Sequence, residues 1–442
     1  MKETVLQFGT GNFLRGFADC FIDALNKKGL YDGRVVVVSP TNSKTVAKIN
    51  ACGGRYNLVV RGFENGKSVC RINEINAITR AINPYSDFEE FLSLAGNPEL
   101  RFIVSNTTEA GIRYDPLCKF SDKPAASFPA KLTQFLYRRY KNGLSGFVIL
   151  ACELIDGNGA ELKKCVLKYA EEWGLEKAFS EWITKENSFC STLVDRIVTG
   201  FPSEDEAQKL FEKIGYSDEL LDTAEPYHLW AIEGNFEDEL PLKKAGFNVI
   251  WTDDVSPYKK MKVRILNGSH TSLVFPSLLC GVETVKESLD DSLLNEFLKT
   301  CLFGYIMPCL NGGSESERFA DAVLERFANP YIRHMWKSIS LNSVSKFTAR
   351  VLTTVSDCEK INGALPKPLV FSLACLIEYY KSKDVCDDKS AVDFIKNADI
   401  SEILENRALW GRDLSEMTAL VNESLNRIYA DGIREAIKWS MS

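Results

Sequence analysis

A short apolar segment, Thr4 to Phe8, runs straight into Gly9-Thr-Gly11 and then into Phe17, Phe21, Ile22 and Leu25 at helical spacing. Strand, glycine turn and helix, in that order, is what a dinucleotide-binding fold needs. The next apolar run, Arg34-Val-Val-Val-Val-Ser39, has the continuous hydrophobicity of a strand buried on both faces of a parallel sheet. Together they outline a β-α-β unit. In such a unit Gly9 permits the tight turn and Gly11 lets the backbone approach a pyrophosphate, while the helix amino terminus supplies amide donors and a positive dipole end. Gly9, Gly11, Asn12 and Phe13 are therefore candidates for holding a dinucleotide. Leu14 stands at the third glycine of the common G-x-G-x-x-G pattern, with Gly16 two places late, so the turn alone fits an ordinary strand-helix connection equally well.

The second strand ends in Ser39-Pro-Thr-Asn-Ser43 followed by Lys44, where an acid would bind the ribose of NAD, so local chemistry leaves NAD and NADP both open. Tyr56 to Phe63 and Ser68 to Ile72, joined by Glu64-Asn-Gly-Lys67, read as a hairpin with an Asn-Gly turn inserted beside the nucleotide core. The parallel pattern resumes with Arg101 to Ser105, ending in Asn106-Thr-Thr-Glu-Ala-Gly111, and a helix is predicted from Pro129 to Tyr140. Gly146 to Ala151 is a further strand, ending in Cys152-Glu-Leu-Ile-Asp-Gly-Asn-Gly159. Each polar strand end by itself is explained by capping and turn formation. Two at corresponding positions of one sheet point to a ligand cleft, which makes Ser39, Asn106, Thr107 and Thr108 further cofactor candidates.

Helices are expected at about 160–173, 187–199 and 204–214, interrupted by Leu229 to Ile232 and Phe247 to Trp251, which are expected to return to the sheet. After a crossover near Pro257 the periodic segments are helical, with loops at Asn311 to Ser316 and Asn362 to Pro368. The fold class is thus α/β: an amino-terminal Rossmann-like parallel-sheet domain, residues 1–256, then a mainly α-helical carboxy-terminal domain, residues 257–442. A chain of 442 residues, 45% hydrophobic, can bury two such cores.

With 53 Lys+Arg against 60 Asp+Glu and no dense basic run, neither a nucleic-acid partner nor an anionic membrane surface is expected. Thirteen cysteines, an odd number with no Cys-x-x-Cys pair, suit reduced thiols rather than disulfides or a zinc site, and no metal is expected. No leader-like segment precedes Lys2-Glu-Thr4, and the longest apolar stretches, such as Thr271 to Val282 with Pro276 inside, are too short to span a bilayer, so a cytoplasmic location is expected. The oligomeric state is left open, and a monomer is compatible with the sequence.

One stretch of the second domain gathers three polar functions. In Lys262 to His270, Lys-Val-Arg-Ile-Leu-Asn-Gly-Ser-His, residues Lys262, His270 and Asn267 fall at roughly 0°, 80° and 140° around a helix of 100° per residue. An amine, an imidazole and an amide then share half of one surface. Asn267-Gly268 is also a turn signal that could end the helix after Leu266.

The combination of Gln7 to Arg15, Ser105 to Ile112, Cys152 to Asp156, Asn187 to Ile197, Lys262 to His270 and Arg326-Phe-Ala-Asn-Pro330 resembles the mannitol dehydrogenase family of long-chain polyol dehydrogenases over essentially the whole chain. Motifs in that order are more specific than any one alone. Within the family the match is closest to the branch acting on hexuronic-acid-derived ketoses, which implies NAD(H) as cofactor, a small sugar acid as substrate and metal-independent chemistry. The resemblance makes Lys262 the acid/base residue, with Asn267 and His270 holding the reacting oxygen. It places Asp195, Arg196 and Glu225 on the substrate side, although an Asp-Arg pair is more often a surface or interdomain ion pair.

Those residue types suit the reaction. Oxidising a secondary alcohol needs a neutral base within hydrogen-bond reach, and a lysine, which titrates near ~10.4 in water, has to be brought by burial to roughly 7 to 8 to serve. In reduction the ammonium gives the proton back, and donors aimed at the carbonyl oxygen stabilise its developing charge. Arg326, Lys346 and Arg350 could clamp a carboxylate. There are departures from the family too: Cys152-Glu153 is followed by Leu154 where polyol-oxidising relatives place an asparagine soon after a Cys-Asp, and Gly268 stands where alanine is common. Sister reactions within the family, and a nucleotide-sensing module that has lost its chemistry, are the competing expectations. The intact Lys262, Asn267, His270 set argues against the second.

Overall fold

The computed structural model describes residues 2–41, 44–108, 110–310 and 312–442, and the chain divides into two units, Met1–Ser256 and Pro257–Ser442. Asn42 and Ser43 of the second strand end, Glu109 of the third and Asn311 of a predicted loop lie outside the described residues.

The strands of the first unit are β1 (Lys2–Phe8), β2 (Gly33–Val38), β3 (Tyr56–Glu64), β4 (Lys67–Ile75), β5 (Ile78–Ile82), β6 (Phe102–Ser105), β7 (Val148–Ala151), β8 (Ser188–Asp195), β9 (Asp222–Ala224), β10 (Leu229–Glu233) and β11 (Val249–Thr252). Eight form one sheet in the order β11-β10-β8-β7-β6-β1-β2-β5. Its pairings are parallel except where β10 runs against β8. The valine run explains the layering. Val35 and Val37 face one apolar layer with Phe17, Phe21 and Leu25, while Val36 and Val38 face the other with Leu132, Phe135 and Leu136 of helix Phe128–Lys141. Strand order reverses at β1, whose neighbours are β2 and β6, and the crevice outside the carboxyl ends at such a reversal is where open α/β sheets take ligands.

The hairpin forms β3 and β4 with Asn65 and Gly66 at φ 53° and 73°, as a two-residue hairpin turn of the primed type requires. With β9 it makes a separate three-stranded sheet, outside the nucleotide core. The returning segments become β10 and β11, and the expected helices appear as Phe128–Lys141, Asn158–Glu172 and Glu204–Ile214.

The helix expected at 187–199 is a correction: Ser188–Asp195 is strand β8. Phe189 and Leu193 are four apart, as on a helix, but Cys190 and Val194 pack into one layer and Phe189 against the other, which is a strand's alternation. The slot between β7, paired through Ser191, and β10, paired from Thr192, decides the conformation, and β-branched Thr192 and Val194 accept it.

In the second unit Ser256–Lys262, a π turn over Val263–Asn267 and Gly268–Leu279 follow one another without a break. Asn267-Gly268 does not stop the helix, because Gly268 keeps right-handed angles, φ −63° and ψ −44°. Gly268 through Ser277 are all buried, as befits a central helix. The hydroxyl of Ser372, on helix Lys367–Ser382, donates to the Ser272 carbonyl at 2.8 Å and ties the two helices together. The predicted loop at 311–316 is shorter than expected, since helix Gly313–Phe327 already begins within it. Gly363, at φ 69°, ends helix Thr353–Asn362 within the other predicted loop. Among the described residues no helix is long and apolar enough to cross a membrane.

Candidate functional site

At the head of β1, Gly9 holds φ 140° and its N–H donates to the Val38 carbonyl at 3.1 Å, which closes the turn against β2. A Cβ on Gly9 would lie 2.8 Å from the Asn106 carbonyl oxygen, so only glycine fits. At Gly11 the space is open, with no heavy atom within 4 Å of where a Cβ would stand. The close approach usually made by the third glycine falls to Gly16 instead: a Cβ there would meet Val198 Cγ1 at 2.7 Å, while Leu14 is buried. Asn12 opens the helix from the surface, and Phe13, half-buried, stacks on Phe17 with centroids 5.0 Å apart.

The strand ends beside this turn are bonded to one another. The Asn106 amide donates to the Cys152 carbonyl at 2.6 Å. The Thr107 N–H and hydroxyl each donate to Glu153 Oε1 at 3.1 Å, and the Ser105 hydroxyl donates to Oε2 at 3.0 Å. Burial raises the Glu153 carboxyl above its ordinary range, and these hydrogen bonds hold it back. Thr108 and Leu154 are exposed. Ser39 is buried, its N–H on the Ile82 carbonyl at 2.9 Å and its hydroxyl on Thr41.

Asp195, Arg196 and Glu225 are all buried, so the Asp-Arg pair is no surface pair. Arg196 donates from Nε to the Glu225 carbonyl at 2.9 Å and from Nη1 to the Gly16 carbonyl at 2.7 Å. The Glu225 carboxylate accepts the Ile197 N–H at 2.6 Å. Through these bonds the end of β8 holds the first helix in place.

In the helical unit Lys262 and Asn267 are half-buried and His270 is buried. The π turn between Lys262 and Gly268 spans five residues per hydrogen bond instead of four, so Lys262 and Asn267 come nearer to one line than the 140° of a regular helix allows. His270 lies flat on Phe327, centroids 4.1 Å apart and planes 10° apart, with His334 and Trp336 edge-on at 5.1 and 6.0 Å. Its Nε2 is buried without a hydrogen-bond partner. Burial, then His334, Arg326 and Arg350, hold its pKa well below the ordinary imidazole range, so the ring is neutral.

Arg326 is buried on helix Gly313–Phe327. Arg350, half-buried in a second π turn, Thr348–Leu352, reaches the Thr271 hydroxyl at 3.5 Å. Lys346 donates to the Ile339 carbonyl at 3.0 Å, and burial followed by the charge of Arg350 lowers its pKa. The two π turns meet at Gly268, where a Cβ would stand 3.5 Å from the Arg350 carbonyl oxygen, an ordinary contact. The structure thus groups His270, Arg326 and Arg350 on the helical side, and adds His334, which sequence reasoning passed over. Its one signal was scarcity: the chain has three histidines.

Residues 3–244 match the mannitol dehydrogenase Rossmann domain and residues 254–430 the mannitol dehydrogenase C-terminal domain. Altronate oxidoreductases of Shigella flexneri and of Escherichia coli strain K12 are each 42% identical to this chain, over 99% of it and 96% of their own length. Among solved structures, a substrate-free D-sorbitol dehydrogenase superposes with a TM-score of 0.87 at 25% identity, over 99% of this chain and 95% of that one. Pseudomonas fluorescens mannitol 2-dehydrogenase, in a ternary complex with NAD and D-mannitol, superposes with a TM-score of 0.74 at 21% identity, over 99% and 94%.

Proposed function

Because the chain belongs to the mannitol dehydrogenase family, oxidoreductases acting on CH–OH groups, we propose that it is a tagaturonate reductase, interconverting D-tagaturonate and D-altronate with NAD(H) in galacturonate breakdown in the cytoplasm. The observation that carries this reading is the buried, partnerless Nε2 of His270, on the same run of helix as Lys262 and close to arginines. A buried polar atom is almost always bonded, so one left open in an arginine-lined place is fitted to a ligand oxygen. Likeness to the altronate oxidoreductases over nearly full length supports the choice of a sugar acid.

The glycine turn fits a dinucleotide: Gly11 is open on the side a pyrophosphate would take, and Gly9 can be nothing else. Gly9, Gly11, Asn12 and Phe13, with Ser39, Asn106, Thr107 and Thr108 at the strand ends, would hold it. NADH supplies the hydride when bound. The chain's own residues manage the proton and the charge. In reduction the Lys262 ammonium gives its proton to the ketone oxygen, and in oxidation the neutral amine removes the alcohol proton. The Asn267 amide and the neutral His270 ring, with its proton on Nε2, donate to that oxygen as charge develops on it. Arg326, Lys346 and Arg350 hold the carboxylate, an arginine fork matching it in two bonds. Asp195, Arg196 and Glu225 enter as substrate-side residues through family resemblance alone, and the bonds of Arg196 favour a structural part for that residue.

Purified protein assayed with NADH and NADPH against tagaturonate, fructuronate and fructose tests the reading. Preference for tagaturonate with NADH is expected. Turnover of fructose alone would reject the uronate assignment, and nucleotide binding without turnover of any ketose would leave a sensing module.

A further inference from the structure

The first helix contains its own π turn, Arg15–Asp19, and all five of its residues are buried. It turns two ionisable side chains inward beneath the glycine turn. Arg15 donates from Nη1 to the Thr10 carbonyl at 3.0 Å and from Nη2 to Asn12 Oδ1 at 2.6 Å, and Nη2 lies 3.9 Å from Asp222 Oδ2. Gln7, at the end of β1, donates from Nε2 to the Gly9 carbonyl at 3.1 Å and to Asp19 Oδ2 at 3.3 Å. The Tyr56 hydroxyl closes the group from the hairpin, donating to the Arg15 carbonyl at 2.7 Å. The bonds of Gln7 and Arg15 therefore converge on Gly9, Thr10 and Asn12. The arrangement is costly: Gln7 Oε1, Arg15 Nε, Asp19 Oδ1 and Asp222 Oδ2 are buried without a hydrogen-bond partner. An apolar filling would serve packing alone better.

We propose that Gln7 and Arg15, backed by the carboxyl groups of Asp19 and Asp222, are positioning residues that fix the peptide orientations of the Gly9–Asn12 turn for a bound pyrophosphate. The inference rests on the reading of that turn as a dinucleotide site. A carbonyl that rotated toward the phosphates would repel them, and glycine backbones rotate readily. With the Gly9 and Thr10 carbonyls tied inward, such a rotation has to break a hydrogen bond that is buried at Gly9 and part-buried at Thr10. The donor side of the turn is thereby organised before the anion arrives, which lowers the ordering cost of binding.

The test uses the full-length chain and three variants: Gln7→Leu, Arg15→Met and the charge-preserving Arg15→Lys. NADH affinity is measured directly, with ADP-ribose and adenosine as competitors that contain and lack the pyrophosphate. The expected result is at least tenfold weaker NADH and ADP-ribose binding in Gln7→Leu and Arg15→Met, with adenosine competition within twofold of wild type and kcat at saturating NADH nearly unchanged. Arg15→Lys should fall between, and it carries the test if Arg15→Met does not fold. Folded variants binding ADP-ribose as wild type does would overturn the proposal. So would equal losses for ADP-ribose and adenosine, which a merely structural role predicts. A wild-type chain that binds no NADH would instead remove the functional reading, a separate outcome.

Discussion

His270 owes its neutrality to its surroundings: an aromatic face on one side, two ring edges and two guanidinium charges. A pH–rate profile should show no limb from this ring near its ordinary titration. Lys262→Ala is expected to lower kcat by about 10²–10⁴ with NADH affinity unchanged, and His270→Ala by about 10²–10³. Near wild-type turnover in Lys262→Ala would remove the acid/base assignment. Asp19 gives a further prediction at this scale. Burial pushes its carboxyl up to about 7, against near ~3.9 in an unfolded chain. Between those values the folded state binds more protons, so the contribution of Asp19 to stability falls as pH rises, by at most about 1.4 kcal/mol per unit. Denaturant unfolding of Asp19→Asn from pH 4 to 7 should lack that part of the slope, and an unchanged slope would contradict it. That Lys262, Asn267 and His270 share one run of helix is legible because helical spacing links them within nine residues. His334 was not, because it meets His270 only through a fold that returns 64 residues later.

At the scale of elements, the strand-turn-helix opening could be read directly because each requirement is local: Gly9 for its φ, four valines for a strand buried on both faces. Strand β8 could not, because what makes it a strand is the gap between β7 and β10, which lie far from it in sequence. The π turns were equally hidden. No residue pattern announces them. Gly268, set between two of them, offers a test. A methyl there finds ordinary room, so Gly268→Ala should stabilise the protein by roughly 0.5–1 kcal/mol and leave turnover intact. Thermal melting and kcat check this, and a tenfold loss of activity would mean the site needs the space.

For the molecule as a whole, both faces of the eight-stranded sheet are covered by residues of the first unit, so its core is complete within one stretch of chain. Residues 1–256 expressed alone are expected to melt cooperatively and to bind NADH without reducing any ketose, since Lys262, Asn267 and His270 are missing. Titration of NADH fluorescence reads the outcome, and a folded fragment with no affinity would count against the glycine turn as the nucleotide site. The bulge at Val263–Asn267 has a consequence of its own. It amounts to one residue more than a regular helix needs over that length. Deleting a single residue between Val263 and Leu266 would let the coil anneal into a regular helix, in which four residues at about 100° each turn through nearly as much as five do in the wider coil, so the flanking segments keep their facing. The amine and the imidazole would stay on one side in a chain that had lost no chemical group, which makes this one of the few places where a helix can give up a codon, whereas the same loss at a regular turn would swing the preceding segment by about 100°.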